Sequence, residues 1–290
     1  MIGIKSDCDP FTGNQSEETV NKFFKNNDVH VKMASSVKEY AYVEDKNRKF
    51  RNEMEDTFCH KDILAKDESC GLFAVFDGHG GRHVADHCSE TFAREFHKEI
   101  QKAKNSNLTP IFESVFQKID KQVKLMDSDK CGATACVAIV RQELNNRVLY
   151  VGNVGDTRAV LSRSGKPLRL SKDHKATDRD EISFIKSQGG NIIEGRVAGG
   201  LAITRALGDF TYKKYGVSAS PFVIRHLLRP QDQYLVIASD GIWDTVSDLQ
   251  AAQLCTDESK NCKQLAQSIV KLSLEKGSQD NISCMVIKLN

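Results

Sequence analysis

Acidic residues adjoin three short apolar segments of this sequence. Asp77 and His79 follow the apolar run 73–76 in FAVFDGHGG, Asp240 follows YLVIAS, and Asp280, together with Asn281, comes directly before ISCMVI. The apolar segments are rich in β-branched and aromatic residues, which is typical of short buried strands. We therefore expect Asp77 to lie where its strand stops, with the other two carboxylates also at strand ends.

Three further acidic residues extend this pattern. Glu55 and Asp56 lie in RNEMED, and Asp156 lies in the turn GNVGDTR. Carboxylates that crowd together repel one another, and their pKa values rise unless a cation lies among them. Mg²⁺ and Mn²⁺ prefer oxygen ligands, so a group of aspartates without clustered His or Cys suits these ions. Taken singly, each aspartate is more typical of a turn or a helix cap than of a metal site.

Composition argues against several classes of partner. The chain has 290 residues and a formal net charge of +2, with 41 basic and 39 acidic residues well mixed. This balance gives no electrostatic footprint for nucleic acid or an anionic membrane, so neither partner is expected. The longest apolar run, 135–140, is far shorter than the ~20 residues that span a bilayer. The first residues also lack the layout of a secretory signal.

The cysteines suggest a reducing compartment. The nine cysteines include no CxxC pair, so no zinc-ribbon or thioredoxin-like spacing is present. Cys88 and Cys284 fall within apolar periods, where we expect them to act as small buried hydrophobes. A location in the cytosol or the nucleus, or both, is therefore expected.

Periodicity outlines an α+β chain without internal repeats. Residues 1–28 are polar and aperiodic, which predicts a flexible N-terminal tail before one domain over 29–290. The region 169–232 is Gly-rich and is expected to form an irregular flap with one short helix. Expected helices span 83–104, 110–123, 179–188, 248–255 and 261–275, and expected strands span 73–76, 134–141, 148–154, 158–162, 234–238 and 282–289.

The order of eight segments carries a family resemblance. Together they closely resemble the successive motifs of the metal-dependent serine/threonine protein phosphatases, protein phosphatase 2C, from about Met33 onward. The resemblance implies a four-layer αββα sandwich, in which two antiparallel β-sheets are flanked by helices, with a metal site at one edge. The segments are RNEMED, FDGHGG, CGATA, GNVGDTRAVL, KDHK, LAITRALGDF, SDGIWD and DNIS.

The resemblance assigns most of the acidic residues to two metal ions, Mg²⁺ or Mn²⁺. It implies that Asp77 bridges the ions, with the Gly78 carbonyl on one ion and Asp240 and Asp280 on the other. Glu55 would bind the first ion through water. Such a pair of ions lowers the pKa of a water molecule, which attacks phosphorus in line without a covalent phosphoenzyme.

Other matching residues receive supporting roles from the same resemblance. Asp156 and Asp244 match positions that, with Asp240, hold a weaker third ion in parts of the family, and whether it binds here stays open. Asp56 matches a residue that orients metal-bound waters from outside the ligand set. Arg51 matches the phosphate-binding arginine, whose planar fork suits bidentate contact with phosphoryl oxygens.

The remaining matches concern proton transfer and packing. His79 matches the proposed general acid, which protonates the departing Ser or Thr oxygen. Arg205 and Asp209 in TRALGD are expected to pair with each other or with neighbours, without a catalytic role. Departures from the family pattern occur in ATDRDEISF and at Ala198, where Asn is frequent, and these put substrate preference in doubt.

Two classes of function remain open at this point. The first is a monomeric phosphatase acting on phosphoserine and phosphothreonine in phosphoprotein substrates. The second is a catalytically weak or inactive scaffold on the same fold that binds signalling partners. Asp77, Asp240 and Asp280 are all present, which favours the first. A weaker third possibility keeps the metal chemistry and acts on other phosphate esters.

Overall fold

The computed structural model describes residues 29–32, 35–103, 107–126 and 129–290. The tail expected over 1–28 lies outside the described residues. The strands are β1 (Val29–Lys32), β2 (Glu39–Asp45), β3 (Thr57–Lys61), β4 (Gly71–His79), β5 (Gly132–Glu143), β6 (Asn146–Val154), β7 (Arg158–Arg163), β8 (Lys166–Arg169), β9 (Ile192–Ile193), β10 (Arg196–Val197), β11 (Leu207–Gly208), β12 (Phe222–Leu227), β13 (Asp232–Ala238) and β14 (Ile282–Lys288).

Two antiparallel sheets form the centre of the fold. The first has the strand order β1–β2–β14–β13–β7–β8, and the second has the order β12–β6–β5–β4–β3, with β11 paired to the beginning of β5. Among the described residues, the helices are α1 (His83–Ala103), α2 (Thr109–Val123), α3 (Arg179–Ser187), α4 (Phe210–Lys213), α5 (Asp240–Trp243), α6 (Asp248–Leu254) and α7 (Cys262–Glu275), besides two short 3₁₀ helices.

Strand alternation explains the layers. Successive side chains of a strand point to opposite faces. In β4, Phe73 and Val75 join the core between the sheets, where they meet Leu235 of β13 and Met285 of β14. Phe76, on the other face of β4, packs into the core beneath α1 and α2. Burial of both faces accounts for the near-continuous apolar runs of these strands.

Helices cover the outer face of each sheet. Phe92 and Phe96 of α1 and Phe112 of α2 are buried against the second sheet. Leu265 and Ile269 of α7 are buried against the first. Aromatic contacts pack α1 against α2, since the ring centroids of Phe96 and Phe112 lie 4.7 Å apart in an edge-to-face arrangement. The expected four-layer α+β sandwich is therefore confirmed.

Two expectations about the elements are wrong in detail. Strand β4 does not stop before Asp77 but runs on to His79, because its backbone continues to pair with β5 as far as Gly132. The region 169–232 is also more regular than expected. Strand β12 (Phe222–Leu227) pairs along β6, and β9 and β10, two residues each, form a short hairpin after α3. The short helix expected there, α3, is present with Asp178 as its N-cap.

Two findings concern the cysteines and the membrane. Cys88 and Cys284 are buried in the core, as expected, and all eight cysteines of the described part of the chain are free. Across that same part, every helix is too short or too polar to span a membrane.

Candidate active site

Three segments meet at one edge of the sandwich, and each contributes a carboxylate. Asp77 lies on β4, on the same face as Phe73 and Val75, and therefore points into the space between the sheets. Asp156 lies in the turn where the chain crosses from β6 to β7, which belong to different sheets. Asp240 is the first residue of α5, after β13.

These three carboxylates form a tight group. One oxygen each of Asp77, Asp156 and Asp240 lie within 4.8 Å of one another. Burial raises the pKa of Asp77 well above its usual range, and the charges of Asp56 and Asp240 raise it further. Burial and the charge of Asp156 likewise raise the pKa of Asp240 well above its usual range. The group is thus destabilised by its own negative charge.

The chemistry of this donor set fits a hard divalent cation. All the donors are carboxylate oxygens, as Mg²⁺ and Mn²⁺ prefer, and the group contains no histidine or thiol. A cation bound there would compensate the repulsion that raises the pKa values of the three carboxyls.

Asp280 lies near this group but is bonded to an arginine. It precedes β14, as expected, and its Oδ2 accepts a hydrogen bond from Nη2 of Arg51. The guanidinium also donates from Nε to the carbonyl of Gln279, at 3.3 Å. The charge of Asp280 contributes to the raised pKa of Asp240. Arg51, the expected phosphate-binding residue, therefore lies at the margin of the carboxylate group.

Asp156 and Asp244 are joined by a lysine that the sequence reasoning did not assign to the site. Nζ of Lys175 lies 2.8 Å from Oδ1 of Asp244 and 3.4 Å from Oδ2 of Asp156. Although burial lowers the pKa of Lys175, the charges of these two aspartates raise it overall. Lys175 belongs to the motif KDHK, and the sequence of this motif does not predict which acidic residue each of its lysines contacts.

Glu55 is fixed by the backbone around β4. Its Oε1 accepts a hydrogen bond from the amide of Gly81 at 2.6 Å. Its own carbonyl accepts from the amide of Gly78 at 3.3 Å. A Cβ at Gly78 would lie 2.6 Å from that carbonyl oxygen, so only glycine allows the approach. The amide of Glu55 donates to Oδ1 of Asn281 at 2.8 Å, a support that the sequence reasoning missed.

Asp56 lies behind the carboxylate group, buried and hydrogen-bonded. Its Oδ2 accepts from the hydroxyl of Ser239 at 2.8 Å. Burial raises the pKa of Asp56 to about 7, against the lowering effect of hydrogen bonds from Ser283 and Ser239. Its role in orienting metal-bound waters stays a prediction.

His79 pairs with a residue to which no catalytic role was assigned. Its Nε2 lies 2.7 Å from Oδ2 of Asp209. Burial lowers the pKa of His79, but the hydrogen bond and charge of Asp209 raise it overall. Of the two pairings expected for Arg205 and Asp209, the structure has the one with other neighbours, because Arg205 binds Glu181 at 3.1 Å. Arg205 and Asp209 thus form two separate pairs, with Glu181 and with His79.

A cleft of about 420 Å³ opens beside the carboxylates. Its lining combines Arg51 with acidic residues. The volume is large enough for a phosphoryl group next to the carboxylates. The lining residues are Phe50, Arg51, Asp240, Gly241, Asp244, Thr245, Gly277, Ser278, Gln279 and Asp280.

Comparison with known proteins gives consistent results. A family model described as protein phosphatase 2C matches residues 40–282. Protein phosphatase 2C homolog 1 of Schizosaccharomyces pombe is 37% identical over 251 residues, covering 85% of this chain and 72% of that protein. Protein phosphatase 2C homolog 1 of Saccharomyces cerevisiae is 34% identical over 259 residues, covering 85% of this chain and 92% of that protein.

A solved structure shows the same fold. The structure of a serine-threonine phosphatase 2C from Toxoplasma gondii superposes with a TM-score of 0.73, covering 91% of this chain and 99% of that one. At 19% identity this likeness concerns the fold alone.

Proposed function

Because the chain belongs to the protein phosphatase 2C family, and is thus a metal-dependent phosphatase, we propose that it hydrolyses phosphoserine and phosphothreonine in proteins. The observation that carries the proposal is the partly buried group of Asp77, Asp156 and Asp240 beside the cleft lined by Arg51. A cluster of repelling carboxylates next to a planar cation suits a divalent metal and a phosphate ester together.

Two Mg²⁺ or Mn²⁺ ions would be held by Asp77, the Gly78 carbonyl, Asp240 and Asp280, with Glu55 acting through water. When bound, the ions lower the pKa of a water molecule that attacks phosphorus and neutralise charge on the phosphoryl oxygens.

The chain's own groups would orient the ester and protonate the leaving oxygen. Arg51 lines the cleft and can turn its fork towards phosphoryl oxygens, since only part of it is bonded to Asp280 and Gln279. His79 would give a proton to the departing serine or threonine oxygen. The raised pKa of His79 supports this role, because the protonated imidazole is the form that donates.

The cysteine near the site does not suit covalent catalysis. Cys131 is partly exposed, and its Sγ lies 2.6 Å from the carbonyl oxygen of Gly80. Burial and the charge of Asp209 raise the pKa of the thiol. A nucleophilic cysteine needs the opposite shift, so this supports direct attack by water.

The substrate class can be tested with three peptides of one sequence, carrying phosphoserine, phosphothreonine or phosphotyrosine. Phosphate release is measured with Mn²⁺, with Mg²⁺ and with EDTA. We expect turnover of the first two peptides with either metal and none in EDTA. A preference for the tyrosine peptide, or for small phosphate esters over all three peptides, would contradict the proposal.

Several finer expectations remain predictions. They are the monomeric state, the location in the cytosol or nucleus, and a weaker third ion at Asp156, Asp240 and Asp244. The cysteines of the described residues, which are free and mostly buried, support a reducing compartment. Lys175 supplies positive charge to two of the three carboxylates proposed for the third ion.

A further inference from the structure

His79, two residues beyond Asp77 on β4, forms a largely buried pair with Asp209. The side chain of Asp209 is 1% exposed, whereas that of His79 is 31% exposed. Oδ2 of Asp209 lies 2.7 Å from Nε2 of His79. Its Oδ1 is buried without a hydrogen-bond partner among the described residues. Because a buried carboxylate is costly unless it is bonded, the imidazole is an important stabilising partner of this side chain.

A glycine allows the two side chains to meet. His79 of β4 pairs with Gly132 of β5, and Gly132 pairs in turn with Gly208 of β11, next to Asp209. A Cβ at position 132 would lie 2.3 Å from Oδ2 of Asp209 and 2.6 Å from Nε2 of His79. The strand between the two residues thus lacks a side chain at the point where their hydrogen bond passes.

The backbone at Asp209 is held in an unfavourable conformation. Its φ of 55° follows a φ of 79° at Gly208. The left-handed region is costly for a residue with a Cβ, and such strain persists where neighbours fix it. Here the amide of Asp209 donates to the Cys131 carbonyl at 2.9 Å, and the amide of Gly208 donates to Oδ1 of Asp120 at 2.8 Å.

We propose that Asp209 is the positioning residue for His79 in the reaction proposed above, on which this inference rests. A carboxylate only accepts hydrogen bonds, so Nε2 of His79 carries the hydrogen that is donated to Asp209. The nitrogen left to deliver a proton is Nδ1. Its N–H bond breaks as the serine or threonine oxygen, which keeps the electron pair of the cleaved P–O bond, takes the proton. Asp209 itself does not touch the ester.

The test compares a poor with a good leaving group. Asparagine is among the residues that best tolerate a positive φ, so Asp209→Asn keeps the turn while it removes the charge. We expect kcat on a phosphothreonine peptide to fall about 10- to 100-fold. On 4-nitrophenyl phosphate, whose leaving group needs no proton, we expect a fall of less than about 3-fold.

Asp120→Asn is the matched control, because Asp120 supports the same turn through Gly208 and Lys213 but has no hydrogen bond to His79 in the structure. Any loss in that variant should be equal for the two substrates. Asp209→Gly, which also tolerates a positive φ, serves as a second variant if the first does not fold.

A double mutant separates positioning from a structural effect. In a background of His79→Ala, Asp209→Asn should cause no further loss on the peptide, because the group it positions is already gone. Equal losses on both substrates, full activity of Asp209→Asn, or additive losses in the double mutant would each overturn the inference. A wild type that fails on the peptide but cleaves 4-nitrophenyl phosphate would instead contradict the proposed function.

Discussion

The ammonium of Lys175 lies 2.8 Å from Oδ1 of Asp244, so a cation of the chain itself occupies the neighbourhood of the carboxylates proposed for a third metal ion. The same ammonium is 3.4 Å from Asp156. Lys175 should therefore compete with a divalent ion for these two carboxylates.

We predict that Lys175→Met increases the affinity of the weakest Mn²⁺ site by about 10-fold, equivalent to about 1.4 kcal/mol, because the competing charge is removed. Calorimetric titration with Mn²⁺ measures this. Lys172→Met is the control, since Lys172 pairs with Asp180 and Glu181 instead. Unchanged or weaker binding in Lys175→Met alone would refute the competition.

Asp240→Asn should have opposite effects on stability and on metal binding. The raised pKa of Asp240 in the fold means that its ionised form destabilises the folded protein at every pH above the ordinary aspartate pKa. In EDTA near pH 7.5, the variant should melt at least about 2–4 °C higher than the wild type, the shift that corresponds to about 1 kcal/mol. The rise in melting temperature on adding Mn²⁺ should shrink, because a ligand is lost.

Asp257→Asn is the matched control for this measurement, because Asp257 lies at the surface, away from the cluster, and pairs with Lys260. It should leave both the melting temperature in EDTA and its rise with Mn²⁺ unchanged. A metal-free Asp240→Asn protein that melts below the wild type would show that repulsion at this site does not limit stability.

Arg51 should act mainly on substrate binding. Its side chain is 42% exposed and borders the cleft, so its removal should leave the fold intact. We predict that Arg51→Ala raises KM for a phosphothreonine peptide about 10- to 100-fold. Arg51→Lys should recover only part of the lost substrate affinity, since lysine lacks the bidentate fork. Steady-state kinetics decide this, and an unaltered KM in Arg51→Ala would rule out phosphate contact.

His174 should make the protein less stable as pH falls. It is fully buried, with Nδ1 3.1 Å from the Gly155 carbonyl oxygen, and burial lowers its pKa to about 4. The unfolded chain takes up the proton near pH 6.5, but the folded chain does so only near 4. Stability is therefore lost between these values, by up to about 3 kcal/mol.

His174→Asn places an amide nitrogen near the position of Nδ1 but does not titrate. Urea unfolding from pH 7 to 4.5 in EDTA should therefore give a flatter pH dependence for this variant than for the wild type. Other groups titrate equally in both proteins and cancel in the difference. Parallel curves would mean that His174 accepts its proton in the folded state as readily as in the unfolded one.

Strand alternation made much of the fold and part of the site predictable. Phe73, Val75, Asp77 and His79 share one face of β4, so a run of buried residues leads directly to two reactive ones. The helices that cover the sheets follow from their four-residue apolar period, as Phe92 and Phe96 in α1 illustrate.

The contacts that cross between distant segments were not predictable in this way. Lys175 meets Asp244 across 69 residues, and Asp209 meets His79 across 130. Neither pair has a periodic signal, because each depends on where a loop lies after both sheets have formed. The extension of β4 to His79 was missed for a related reason, since glycine and aspartate predict a turn locally while the pairing with β5 overrides that preference.

The most direct test of the central claim is phosphate release from a phosphothreonine peptide as Mn²⁺ is titrated, with wild type, Asp240→Asn and Asp257→Asn side by side. The account predicts that wild type and Asp257→Asn turn over the peptide only with metal. Asp240→Asn should stay folded and lose at least about 100-fold in rate. Folded wild-type protein without turnover at saturating metal would contradict the claim and favour a scaffold, and full activity of Asp240→Asn would contradict the assignment of the site.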